Sequence, residues 1–373
     1  NVNFVSTGRK TVTFSYPDAA RNVRVRAKAG SEPAACSSDN FAIRPAQFTM
    51  SSSMSNNALT GTPKATAGTT FTLTAGAGVT KGFNGTPALD VGKVSDHNGV
   101  AIASGTLSGS FDPGTGTSAS GSAFKYLDVG NIQLAEDAVV DSSFTAVDQT
   151  NDCISNSTSY SLDTITPGLG KYGCNIGSVA SAKFGRWYPS HYSFAGTLTP
   201  GCAAGSFTYM GQDALGVDLT VRAHASTGLP AAVTDPVVSR YNYAATGGYP
   251  SLAGVTFAGD NGGSTVAASR LTSPAFPSMP ITKLWSAGQL RVNDTYVFSK
   301  LTTPDGPYDV YKMLASVADP DNASPTLVGA GTNETGIRFG RLRLISGQGS
   351  DVAPFIMKTE AQYWDGAYWR TNI

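Results

Sequence analysis

Apolar residues in this chain alternate with polar ones in short runs and almost nowhere sustain a helical period. Thr69-Thr70-Phe71-Thr72-Leu73-Thr74 is the clearest case. Hydroxyl and apolar side chains take turns, so a strand here holds one face against a core and the other in water. Similar runs recur at 12–16, 23–27, 132–134, 217–223, 296–300 and 337–344, separated by glycine, proline, asparagine and serine. Many short strands at this spacing predict sandwiches. A chain of 373 residues is too long for one of them. The expected fold is therefore all-β: tandem antiparallel immunoglobulin-like β-sandwich domains.

Two internal repeats suggest where those domains divide. Phe14-Ser15-Tyr16-Pro17-Asp18 precedes Val23 and Val25, and Phe124-Lys125-Tyr126-Leu127-Asp128 precedes Ile132 and Leu134. Phe41-Ala42-Ile43-Arg44-Pro45 leads to Phe48, and Phe184-Gly185-Arg186-Trp187-Tyr188-Pro189 leads to Tyr192 and Phe194. Phe-Gly-Arg returns at Phe339-Gly340-Arg341. A proline after a last strand cannot donate to a ladder and stiffens the exit, which suits a boundary. The expected division is the closing part of one sandwich at 1–45, a complete sandwich at 46–189, and a third unit with an extended C-terminal segment at 190–373.

Charge excludes several functions. Only 14% of residues are charged, against about 25% in ordinary soluble domains. Lys plus Arg and Asp plus Glu are both 26, so a basic nucleic-acid-binding face is not expected. Arg21, Arg24, Arg26 and Lys28 alternate along one expected strand and read as its solvated face. There is no apolar run long enough to form a membrane-spanning helix. The first residue is Asn1 rather than methionine, so processing upstream of this segment is expected.

The four cysteines form no CxxC pair, and His97, His191 and His224 have no ligand spacing near them, which argues against zinc. Disulfide chemistry is the alternative in an exported protein. Cys153 and Cys174 enclose a turn-rich loop and are expected to bond. Cys36 and Cys202 would be separated by a whole domain, about 40 Å in an extended array. A disulfide needs Cα atoms within about 7 Å. These two are therefore expected to stay unbonded to each other and to pair outside the segment or with a neighbouring subunit.

Other candidate sites are weak. His191 lies near Tyr188 and Tyr192 with no G-x-S-x-G nucleophile motif, so packing among aromatics is expected. Asp148 with Asn151 and Asp152, Asp260 with Asn261, and Asp319 with Asp321 and Asn322 could be imagined around calcium. None follows an EF-hand pattern, and 319–322 reads more simply as a turn. Five Asn-x-Ser/Thr triplets fit the frequency expected in a Thr/Ser-rich chain. Tyr363, Trp364, Tyr368 and Trp369 flank Asp365-Gly366 and predict a hairpin with packed aromatic arms rather than a sugar platform. No catalytic, cofactor-binding or metal-binding residue is assigned.

Several segments, in order, resemble MshQ-like bacterial surface proteins, a family associated with mannose-sensitive haemagglutinin (type IV) pilus loci. They are the ten residues from Cys36 to Pro45, Lys171-Tyr172-Gly173-Cys174-Asn175-Ile176 and the six from Phe184 to Pro189. Leu198-Thr199-Pro200 with Phe207-Thr208-Tyr209-Met210-Gly211-Gln212, and the six from Phe339 to Leu344 with Tyr363-Trp364-Asp365-Gly366, continue the series. The resemblance implies an extracellular, cell-surface, adhesin-like or pilus-biogenesis role and carries over no catalytic residue. The lectin-like domains such proteins often hold upstream are missing from this segment, as is the continuation beyond Tyr-Trp-Asp-Gly.

Three functions follow as expectations. The first is a non-catalytic pilus-associated adhesin or stalk of spacer domains, partnered by other surface or pilus proteins. The second is a subunit that self-associates through its chain ends into an extracellular filament or sheath, since the segment reads as opening inside one domain. An extracellular hydrolase would need a nucleophile or carboxylate pair that the sequence does not display. The expectation is a protein that is not an enzyme, needs no cofactor and binds no nucleic acid.

Overall fold

The computed structural model describes residues 12, 14–145, 152–163, 170–244, 248–329 and 331–372. Among them the regular structure is strand, with two single-turn 3-10 segments at Val91–Lys93 and Ala268–Arg270. The fold is all-β, built of packed sheets. The chain falls into two compact units, Asn1–Ala65 with Thr69–Trp187, and Thr66–Gly68 with Tyr188–Ile373.

In the first unit, one sheet runs Leu107–Ser108, Ser118–Tyr126, Thr70–Gly76, Thr49–Ser52. A second places Gly130–Leu134 between Val94–Asp96 and Phe184–Tyr188, with the short Ala65–Thr66 at its outer edge. The alternation expected at 69–74 is realised: Phe71, Leu73 and Ala75 are buried while the threonines face outward. Thr74 Oγ1 lies 2.8 Å from Ser120 Oγ, directly across the ladder. The two sheets meet through aromatic rings. Phe71 lies 5.1 Å from Trp187 and 6.2 Å from Phe184, and Tyr126 lies 5.0 Å from Trp187, centroid to centroid. Trp187 is fully buried at the centre of this packing. Burying a side chain of that size contributes about 3 kcal/mol.

The loop from Cys153 to Cys174 is closed by a disulfide between those residues. It is laced from inside, Ile154 N–H donating to Tyr172 O at 2.8 Å and Gly173 N–H to Ser159 O at 2.8 Å. Three further short pairs belong to this unit: Ala20–Val23 with Phe41–Ile43, Arg26–Ala27 with Ala35–Cys36, and Val139–Val140 with Ala88–Leu89. One glycine here is obligatory. Gly82 has a φ of +89°, and a Cβ on it would collide with the Ala19 carbonyl, to which the chain runs close.

The second unit stacks two five-stranded sheets. One is ordered Trp285–Ser286, Gln289–Val297, Asp213–His224, His191–Thr199, Leu327–Val328. The other is ordered Phe207–Tyr209, Thr335–Arg338, Tyr308–Ala318, Gly254–Asn261, Ser264–Val266. Asp213–His224 is central, with Leu215, Val217, Leu219, Val221 and Ala223 all buried. Pairing is antiparallel except at two short edges, where Leu327–Val328 and Phe207–Tyr209 run parallel to their neighbours. A three-stranded meander of Gly340–Leu344, Thr359–Trp364 and Trp369–Thr371 follows.

Four local expectations are corrected. The run at 12–16 forms no strand among its described residues, and Phe14 and Tyr16 are exposed, unlike their repeat partners Phe124 and Tyr126. Phe124 and Tyr126 pack on Phe71 and Trp187, whereas Phe14 and Tyr16 make no such ring contact with a described residue. The run at 23–27 splits between two strand pairs, and Arg21 turns partly inward to donate to the Ser143 carbonyl at 3.0 Å. The run at 337–344 breaks at Phe339, where the chain passes from the second sheet into the meander. The strand at 296–300 ends early, at Val297.

Candidate functional site

A cleft of about 480 Å³ opens in the first unit between the segments at 14–16 and 41–46 and the disulfide-closed loop. Phe14, Tyr16 and Phe41 line the first side, and Tyr160 and Tyr172 the second. Four of these rings are substantially exposed: Phe14 by 62%, Tyr16 by 51%, Tyr160 by 51% and Tyr172 by 46%. Arg44 ties the two sides together. Its Nη1 donates to the carbonyls of Pro45 at 3.1 Å and Ala46 at 3.2 Å, and its Nη2 to the Ser159 carbonyl at 2.5 Å. Partial burial holds the guanidinium below its ordinary pKa, with the neighbouring Tyr172 acting against that shift. Thr145, whose hydroxyl donates to the Cys174 carbonyl, and Cys153 lie in the lining, so the disulfide fixes the second wall.

The second unit holds two buried polar clusters. In the first, His224 Nδ1 lies 2.7 Å from the Asp235 backbone carbonyl and must therefore carry the proton. His224 Nε2 is then the acceptor for the Ser193 hydroxyl at 2.7 Å. His191 Nε2 lies 3.1 Å from the Ala232 carbonyl and 3.3 Å from Asp235 Oδ2, both acceptors, so it too is protonated. Burial drives the His224 pKa down, and the neighbouring His191 adds to that. Burial alone would raise Asp235, but the Ala232 N–H, the Thr227 hydroxyl and the two histidines together bring it below the ordinary carboxylate value. Ser193 and His224 have the contact of a nucleophile and its base. Both sit within strands of one sheet with almost no solvent exposure. His191 is buried as expected, but its neighbours are His224 and Asp235 rather than the flanking tyrosines.

The second cluster contains Asp319, Asp321 and Asn322, one of the imagined calcium sites. Tyr192 OH donates to Asp319 Oδ2 at 2.8 Å and lies 3.1 Å from Tyr241 OH. Asp319 Oδ1 accepts the Asp321 N–H at 2.8 Å, and Tyr249 OH donates to Asp321 Oδ2 at 3.2 Å. Burial raises Asp319 above the ordinary carboxylate range and drives Tyr192 far above its own. These carboxylates are thus turned onto tyrosines and their own turn. At the second imagined site, Asp260 Oδ1 accepts from Gly263 N–H and Asn261 Oδ1 from Val310 N–H. At the third, Asp148 and Asn151 lie outside the described residues. Among the described residues no group of three or more His, Cys, Asp or Glu side chains is placed to hold a metal ion.

The C-terminal aromatics form the expected hairpin. Trp364 pairs with Trp369 across it, their rings 5.7 Å apart. Asp365 Oδ1 caps the turn by accepting from Ala367 and Tyr368 N–H, which with Arg370 brings its carboxyl down to about 2. Arg341 lies 3.8 Å over Trp369 and Arg338 4.3 Å over Tyr363. Cys36 and Cys202 are free thiols, Cys36 exposed and Cys202 half-buried.

Sequence reasoning missed both the cleft and the Ser193–His224–Asp235 cluster. The cluster joins residues far apart in sequence, brought together by the pairing of His191 with His224 across two strands. The cleft had one available signal, a repeat motif whose second copy is core while its first copy stands exposed.

These features define a disulfide-containing, all-β protein of tandem sandwich units. Residues 159–337 match the family model described as DUF6701, third domain. The match covers just under half of the chain, starting inside the disulfide loop and ending in the strand Thr335–Arg338. No curated protein matches the chain.

Proposed function

We propose that this chain is part of a non-catalytic bacterial surface protein, a pilus-associated adhesin or stalk whose β-sandwich units act as spacers. The observation that carries this reading is the internal closure of the polar clusters. Ser193, His224 and Asp235, and Tyr192, Tyr241 and Asp319, spend their hydrogen bonds on one another inside the fold. Catalytic groups are instead aimed at a space a substrate can enter. The Cys153–Cys174 disulfide suits an oxidising, extracellular setting. The ordered MshQ-like motifs supply the pilus context, and the DUF6701 match overlaps several of them. Antibodies to the chain should label intact cells of its source and co-sediment with sheared pili. Labelling only after lysis, or hydrolysis of ester or glycoside substrates that Ser193→Ala abolishes, would overturn the reading.

A second reading, a subunit that polymerises into an extracellular filament, is favoured by the C-terminal meander. Gly340–Leu344 is its edge strand, and Leu342 and Leu344 on one face are 76% and 62% exposed. An apolar edge of this kind invites strand pairing. Electron microscopy of the purified chain decides between the two: ordered fibres support the second, dispersed particles the first.

A further inference from the structure

We propose that the cleft of the first unit binds a carboxylate-bearing sugar, with Arg44 taking the acid group and the tyrosine rings the face of the sugar ring. This goes beyond the surface-protein reading and is tested by binding alone.

The rings come first. Phe14, Tyr16, Phe41, Tyr160 and Tyr172 make no ring–ring or cation–π contact with the described residues. Elsewhere the aromatics are spent on one another, as Phe124 and Tyr126 are on Phe71 and Trp187. Phe14 and Tyr16 occupy the same repeat positions as those two core residues, yet they stand open at a concave surface. Exposed aromatic faces gathered around a concavity are a ligand surface rather than scattered exposure. A flat C–H face of a pyranose is of a size to lie on such a ring.

Arg44 supplies the charge. Three of its five N–H groups are fixed on the carbonyls of Pro45, Ala46 and Ser159. Its Nε–H and one Nη2–H have no acceptor among the described residues. A guanidinium immobilised by carbonyls, with no carboxylate partner among the described residues, is preorganised to take a carboxylate. Lys171 adds a second positive charge to the lining. Asp152 is the single carboxylate in the described lining, and it is already engaged in an interaction of its own.

The hydroxyl groups select a sugar over an aromatic acid. Tyr160 and Tyr172 hydroxyls make no hydrogen bond to a described residue. A polyhydroxylated ligand can pair with both, while an apolar ring would strip them of water without replacement. A volume near 480 Å³ lies within the range of small-molecule sites and has room for a saccharide.

The test is saturation-transfer NMR and calorimetry on the full chain with N-acetylneuraminic acid and with glucuronic acid. Glucose serves as the uncharged comparison and N-acetylphenylalanine as the aromatic acid. Both acidic sugars should bind, with glucose weaker by about tenfold or more. Tyr172→Ala, which removes an exposed ring and leaves Arg44 in place, should weaken the acidic sugars by about tenfold. Arg44→Lys, which keeps the charge but loses the fork, should weaken them as well. Failure of both acidic sugars to bind at millimolar concentration would overturn the proposal. So would equal binding of glucose, a preference for N-acetylphenylalanine, or affinity unchanged in both variants.

Discussion

The imidazole rings of His191 and His224 lie face to face, their centroids 5.0 Å apart and their planes 10° from parallel, as direct cross-strand partners. A positive charge on His224 inside the sheet is costly because the ring is buried, and His224 has already placed its one proton on a carbonyl. The folded-state pKa of His224 therefore lies below its ordinary 6.5, with burial as the main cause. Below pH 6.5 the unfolded chain takes up a proton that the folded chain refuses, so stability falls as pH falls. Thermal melts between pH 8 and pH 5 should show the second unit losing stability below about pH 6.5, the ordinary value for histidine. His224→Gln should flatten that dependence.

The disulfide should be worth measuring by itself. Cys153 and Cys174 are 21 positions apart, and closing a loop of that length stabilises by about 3 kcal/mol in the chain-entropy account. Replacing both cysteines by alanine should lower the melting of the first unit by that order and leave the second unchanged. Non-reducing peptide mapping should recover the two cysteine peptides joined. A maleimide added to the native protein should label Cys36 quickly and the half-buried Cys202 more slowly.

Trp187→Ala should be among the most damaging single changes in the first unit. The ring joins two sheets by contact with Phe71, Tyr126 and Phe184. Truncating it should cost about 3–5 kcal/mol, read from urea denaturation. Trp187→Phe should recover part of that loss, and a cost below about 1 kcal/mol for the alanine variant would show that the sheets close over the gap.

Arg270 offers a test in the second unit. Its Nη1 lies 2.8 Å from Asp305 Oδ2, its other nitrogens donate to Ser299, and the guanidinium lies 4.5 Å from the Phe298 ring centroid. Asp305→Ala leaves a largely buried cation without its carboxylate and should cost about 2 kcal/mol. The same experiment on Asp218, whose bond to Arg291 lies in solvent, should register almost nothing.

The sequence by itself determined the fold class, because strand periodicity is local. Each residue at 70–76 states which face it occupies without reference to distant partners, and burial follows that alternation residue by residue. Loop chemistry is equally local, so the Cys153–Cys174 pairing and the Asp365-Gly366 hairpin were legible. Only the tertiary structure decided which copy of a motif is core. Phe124 and Tyr126 are buried against Phe71 and Trp187 of their sandwich, and the same letters at Phe14 and Tyr16 stand exposed at a cleft. Ser193 and His224 likewise meet through strand register, which depends on the whole sheet. Function drawn from such meetings is written in pairs of positions far apart in the chain, and no local pattern records them.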